Sequence, residues 1–170
     1  MPKASTITMA YNRSGRYVEQ GREHDDAVDL ATVSRADLRW YYFMSDIVFT
    51  IGDVDLTPPW SWTPVFDFLW SMKGVLRYLD RGERSTIGFN ENAELIEFRP
   101  EGEFIRVSCT YTTDVAVCRA DELARAWLTF TQSVCAVLAA EYPALAANLA
   151  LAGLLDAAEP DPPRRRIGRS

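Results

Sequence analysis

Few side chains in this sequence have the types and spacing that catalysis requires. His24 is the only histidine of the 170 residues, and it lies in a polar N-terminal segment that we expect to be mobile. A Ser-His-Asp or Cys-His hydrolase would need that histidine in a fixed position, and a metal site built on two histidines is excluded. We therefore expect no histidine-based enzyme.

The carboxylates form no evident acid and base pair. Glu94 and Glu97 are three residues apart on a predicted strand, which puts them on opposite faces. Asp46 alternates with apolar residues, and covering that face would raise its pKa; a solvated or hydrogen-bonded Asp46 is the simpler expectation. Asp53 and Asp55 fit a capped turn better than a metal site.

Cysteines and glycines add no further chemistry. Cys109, Cys118 and Cys135 are scattered through apolar patterns without the close pairing of a zinc site, so we predict reduced, buried thiols. The stretches around Gly15 and Gly74 lack the spacing of phosphate-binding loops. We predict no catalytic residues, no metal and no cofactor.

The most unusual stretch is residues 57–70, TPPWSWTPVFDFLW, which leads into a predicted helix. Pro64 suits the first helical turn, and most apolar residues after it share one face. Phe66 and Trp70 instead project to the flank, in a row with Lys73 and Arg77. Either another segment packs on this flank, or it is a contact ridge. The partner-binding residues predicted on the second alternative are Trp60, Trp62, Phe66, Trp70 and Arg77.

An alternative site is a small-ligand pocket between helix and sheet. Aromatic side chains suit apolar or sugar-like ligands, and cavities of this kind form under a long helix. The lining predicted for such a pocket consists of Trp60, Trp62, Phe89, Tyr111 and Trp127.

Hydrophobic periodicity indicates the elements that must carry these side chains. Strands are predicted at residues 40–56, 85–90, 93–99 and 103–112, with 114–118 as a fifth. Helices are predicted at residues 64–81, from residue 121 to the residue before Pro143, and at 144–158. The order β-α-β-β-β-α-α predicts an α+β domain. Its antiparallel-rich sheet of four or five strands has a helix after the first strand and C-terminal helices packed on one face.

We divide the chain into three parts on composition. Residues 1–34 are polar and without a sustained period, and we predict a mobile arm. Residues 35–158 form a single α+β domain, and residues 159–170 are a proline-broken, basic tail that we predict to be disordered. The N-terminus has no apolar run typical of a secretory signal, and no stretch predicts a membrane span. We expect a cytoplasmic protein.

Charge indicates the kind of partner. Residues 40–158 carry 16 acidic and 8 basic side chains, a field that repels a nucleic-acid backbone and attracts a basic protein. We therefore predict a non-enzymatic, acidic protein-binding module. A bacterial immunity protein, which neutralises a basic toxin domain, would have this character. Self-association into a homodimer through the same surfaces is the alternative.

Overall fold

The computed structural model describes residues 5–13, 25–89 and 92–156. In this part of the chain the strands form two antiparallel sheets of four strands each. The first sheet contains β1 (Ile7–Asn12), β2 (Met44–Ile51), β3 (Val54–Asp55) and β4 (Thr63–Pro64), and the second contains β5 (Ser85–Gly88), β6 (Leu95–Glu101), β7 (Phe104–Cys109) and β8 (Val115–Arg119). The predicted α+β class is confirmed, although the strands form two sheets and not one.

Helices cover these sheets. They are α1 (Arg35–Tyr41), α2 (Val65–Asp80), α3 (Ala120–Glu141) and α4 (Leu149–Leu155), with a 3₁₀ helix at Pro143–Ala147 between the last two. The helix predicted at residues 64–81 is correct to one residue at each end. Pro143 follows the end of α3, as expected for a residue that cannot continue a helix.

The alternation of buried and exposed residues along the strands shows where the core lies. In β6, Ile96 and Phe98 are buried whereas Arg99 is exposed, and in β7 the exposed Arg106 separates the buried Ile105 and Val107. The buried faces pack against α2 and α3, with α2 on β5, β6 and β2, and α3 on β1 and β8. Each large apolar side chain buried in this way contributes about 1.5–3 kcal/mol.

The N-terminal segment corrects one prediction. The mobile arm predicted for residues 1–34 is wrong where the structure describes it, because β1 pairs with β2 from Ile7↔Ile51 to Asn12↔Asp46. Further along, Leu30 is buried in the core and its carbonyl accepts a hydrogen bond from Asn148 Nδ2 at 2.8 Å. The predicted tail at residues 159–170 lies outside the described residues.

A second correction concerns the start of the predicted strand at residues 40–56. Trp40 and Tyr41 complete α1, and the chain then turns at Phe43, whose φ is +54°. This backbone conformation is rare for a bulky residue. Three hydrogen bonds hold it: Phe43 N donates to Asp25 Oδ1 at 3.3 Å, and Phe43 O accepts from Val65 N at 3.2 Å and from Ser45 Oγ at 2.8 Å.

By length and composition alone, the 22-residue helix α3 could cross a membrane. Core helices meet the same criteria, so this is a weak sign of a membrane span. Its side chains Leu123, Trp127, Phe130, Thr131, Val134 and Leu138 are buried in the fold. The cytoplasmic location stays a prediction.

Candidate functional site

The flank of α2 that we predicted as an exposed contact ridge is covered. Phe66 is 0% exposed and Trp70 is 3% exposed. Helix α1 packs on this flank, the Arg35 guanidinium lies 5.2 Å from the centre of the Trp70 ring, and Phe66 meets Phe43 edge to face at 5.7 Å. The prediction of Phe66 and Trp70 as exposed anchors is therefore wrong, and the alternative of a covering segment is the one observed.

The predicted aromatic pocket is filled by its own rings. Trp60 lies edge-on to Phe89 at 4.6 Å and to Tyr111 at 5.3 Å. The cavity beside Trp60, Trp62 and Phe89 measures about 30 Å³, far below the roughly 300 Å³ at which ligand sites begin. Trp127 is elsewhere in the core, where its Nε1 donates to Leu69 O at 3.0 Å. These contacts are structural, and they do not form the ligand pocket that we predicted.

The α2 flank instead forms one side of a groove between α1, α2 and β5. Its volume is about 360 Å³, within the range of ligand sites. The cationic side chains lining it are Arg35, Arg39, Lys73 and Arg77, and Asp67 is the one carboxylate among the described lining residues. The whole chain has a formal net charge of −6, so this groove differs in sign from the average of the molecule.

Two of these cations are fixed by neighbouring groups. Arg39 Nε donates to Asp67 Oδ1 at 2.6 Å, and its guanidinium also reaches Ser71 Oγ at 3.0 Å. Lys73 Nζ donates to the carbonyls of Gly153 and Asp156 at the C-terminal end of α4. Because a charged side chain that is already held loses little freedom on binding, the groove is preorganised.

Trp70, which also lines the groove, has a buried hydrogen-bond donor. Its indole Nε1 is buried and donates no hydrogen bond to any atom of the described residues. A buried donor without an acceptor costs about 1–3 kcal/mol, and such groups are few in native structures. The ring itself is well held, between Phe66 at 5.8 Å and the Arg35 guanidinium.

Three exposed aromatic side chains lie on α1 and just before β4, and one of them, Trp40, lines the groove. Trp40, Tyr41 and Trp62 are 41%, 60% and 38% exposed. Trp40 lines the groove on one side and borders the small cavity beside Trp62 on the other. We call Trp40, Tyr41 and Trp62 the aromatic rim. Of the partner-binding residues predicted from the sequence, Trp62 belongs to the aromatic rim, and Arg77 and Trp70 line the groove. Phe66 belongs to the core, and Trp60 packs against Phe89 and Tyr111.

The remaining titratable groups give no catalytic set. Burial raises the pKa of Cys118 to about 12 and that of Cys135 to about 11, so both thiols stay protonated at neutral pH. Asp55 Oδ1 accepts from Thr57 N at 2.9 Å, which is the capped turn expected at this position. Within the described ranges no three His, Cys, Asp or Glu side chains are grouped to hold a metal, and His24 lies outside those ranges.

Sequence reasoning missed Arg35 and Arg39 because it predicted no helix before the strand at residues 40–56. A signal was present: Ser34 precedes the helix, and its Oγ accepts from Asp37 N at 3.1 Å as an N-cap. Arg35 and Arg39 are four residues apart, so they share one face of that helix.

The groove and its aromatic rim are thus defined by geometry alone. No protein-family model, no curated protein and no solved structure matches this chain.

Proposed function

We propose that the protein is a non-enzymatic binding module that holds an acidic segment of a partner protein in the groove between α1, α2 and β5. One observation carries this proposal: four cationic side chains line a single groove in a chain of net charge −6. Charge complementarity of this kind guides the encounter and selects against basic competitors.

The aromatic rim supports the same function. Trp, Tyr and Arg are the residue types that contribute most to the energy of protein interfaces. Trp40 lies beside an arginine of α1, since the Arg39 guanidinium lies 5.9 Å from the centre of the Trp40 ring. A partner segment anchored on the rim would place its acidic side chains in the groove.

The charge that we propose for the partner is opposite in sign to the charge expected from the net charge of the chain. The acidic composition favours a basic partner, as an immunity protein would have, whereas the local charge at the groove favours an acidic one. We base the proposal on the local charge because screening in physiological salt limits the reach of a charge to about 8 Å.

Selection from a displayed random-peptide library tests the proposal. The wild-type protein should enrich sequences rich in Asp and Glu, and Arg35→Glu should lower the affinity of the selected peptides about 30-fold, as expected for an interface arginine worth about 2 kcal/mol. Trp40→Ala should weaken binding through the loss of a rim contact.

The matched control is Arg106→Glu, which makes the same charge change on an exposed strand residue that pairs with Glu101 at 2.7 Å. This variant should bind the selected peptides as the wild type does. Enrichment of basic sequences, or binding that survives Arg35→Glu, would contradict the proposal.

A further inference from the structure

We propose that the groove binds a phosphate monoester, carried on the acidic segment of the partner. The identity of the carrier rests on the proposed function, whereas the phosphoryl site rests on the groove itself. The two can therefore fail separately.

The first step concerns a hydrogen-bond donor, the indole N–H of Trp70. Trp70 Nε1 is a buried donor with no acceptor among the described residues, and it belongs to a side chain that lines the groove. The indole N–H can only donate. A ligand that opened a path to this buried N–H would have to present an acceptor atom to it.

The second step is charge. The described lining residues include four cations and one carboxylate, and that carboxylate already accepts from Arg39. A carboxylate ligand would bring one negative charge. A phosphate monoester carries about −1.5 to −2 at pH 7 and three acceptor oxygens, which is the better match to a groove lined by several cationic side chains.

The third step is the supply of donors with suitable geometry. Guanidinium groups bind phosphate oxygens through paired N–H donors, and the Arg35 guanidinium is oriented by stacking on the Trp70 ring. Ser85 and Thr86 of β5, which carry hydroxyl groups, also line the groove. At about 360 Å³ the groove has room for a phosphoryl group and the side chain that carries it.

The binding test uses the indole N–H signals of the full chain in ¹⁵N-labelled protein. Inorganic phosphate, added at ionic strength matched with chloride, should shift the Trp70 signal. A phosphoserine peptide of acidic sequence should shift it at lower concentration than phosphate, and the unphosphorylated peptide should bind about 10-fold more weakly than the phosphorylated one.

Variants identify the site. Trp70→Phe removes the donor and keeps a ring against Phe66, and it should lower affinity for phosphate about 10-fold, followed by the indole N–H signal of Trp40, which also lines the groove. Arg35→Gln keeps Trp70 intact and should have an effect at least as large. Arg106→Gln, on the exposed face of β7, should bind phosphate as the wild type does.

Each outcome bears on one proposal or the other. If phosphate shifts Trp70 but the peptide adds nothing, the phosphoryl site is supported and the protein partner is contradicted. If acidic peptides bind without phosphate affecting Trp70, the binding module is supported and the phosphoryl site is overturned. Equal shifts with chloride and phosphate would also overturn it.

Discussion

Burial determines which individual side chains can ionise in this protein. Cys118 points into the core from β8 and is 2% exposed. Loss of hydration disfavours its thiolate, which raises its pKa from 9.0 to about 12. The thiol therefore keeps its proton in the folded chain at a pH where an unfolded chain would lose it.

This difference predicts a pH dependence of stability. Below pH 9 both states hold the proton, and the contribution of Cys118 is fully present; it is lost as the pH rises from about 9 towards 12, because only the unfolded state gains by ionising. The free energy of unfolding of the wild type should therefore fall towards that of Cys118→Ala between about pH 9 and pH 11, as measured by urea denaturation. A difference between the two proteins that stays constant over this range would contradict the assignment.

Among the elements, α1 is the short helix that carries Arg35 and Arg39 into the groove. Its seven residues are too few for a stable isolated helix, and Leu38 is the residue that it buries. It depends on packing against α2 and on the Ser34 cap. The positions of Arg35 and Arg39 in the groove follow from this helix.

Removing the cap should therefore affect both stability and binding. Ser34→Ala should lower the free energy of unfolding by about 1 kcal/mol and weaken binding of the peptides selected by the groove. Ser34→Asp, which keeps an acceptor at the cap, is the control and should change little. Urea denaturation and a peptide titration measure the two effects. If Ser34→Ala had the same free energy of unfolding and the same peptide affinity as the wild type, α1 would not need the cap.

The same element explains how far the sequence predicts this structure. The long amphipathic helices α2 and α3 and the alternating strands β6 and β7 were predicted because many residues repeat one period. Short elements such as α1 carry too few apolar positions for that signal.

The groove could not be predicted, because it exists only once α1 covers Trp70, and that contact joins separate parts of the chain. Trp60, Phe89 and Tyr111 were predicted to lie together correctly, but the sequence does not indicate that their rings would fill the space between them.

For the molecule as a whole, Arg13, which follows β1, links the N-terminal part of the chain to the C-terminal end of α3. Arg13 pairs with Asp25 at 3.2 Å and with Glu141 at 3.0 Å, and its guanidinium stacks on Phe43 and Tyr142. The Arg13 and Asp25 side chains are 7% and 1% exposed. Breaking a buried ion pair by removing one partner costs about 3–5 kcal/mol.

Removal of residues 1–13 should therefore unfold the protein. The loss of β1 and of Arg13 together should exceed about 5 kcal/mol, the lower end of domain stability, and the uncovered edge of β2 would promote aggregation. Circular dichroism and gel filtration measure both effects. A variant that begins at Ser5 keeps the whole of β1 and should fold. A compact, cooperatively melting protein without residues 1–13 would contradict this view of the fold.

The hydrogen bonds of Lys73 have a consequence for tolerance to sequence change. Its acceptors are the backbone carbonyls of Gly153 and Asp156, and every residue type supplies such a carbonyl. Side chains at those two positions can vary while the ammonium group stays where it is. Chain length matters more than identity here: a protein that ended before Gly153 would lose both acceptors, and the ammonium group, which already lines the groove, would lose the two hydrogen bonds that fix its position.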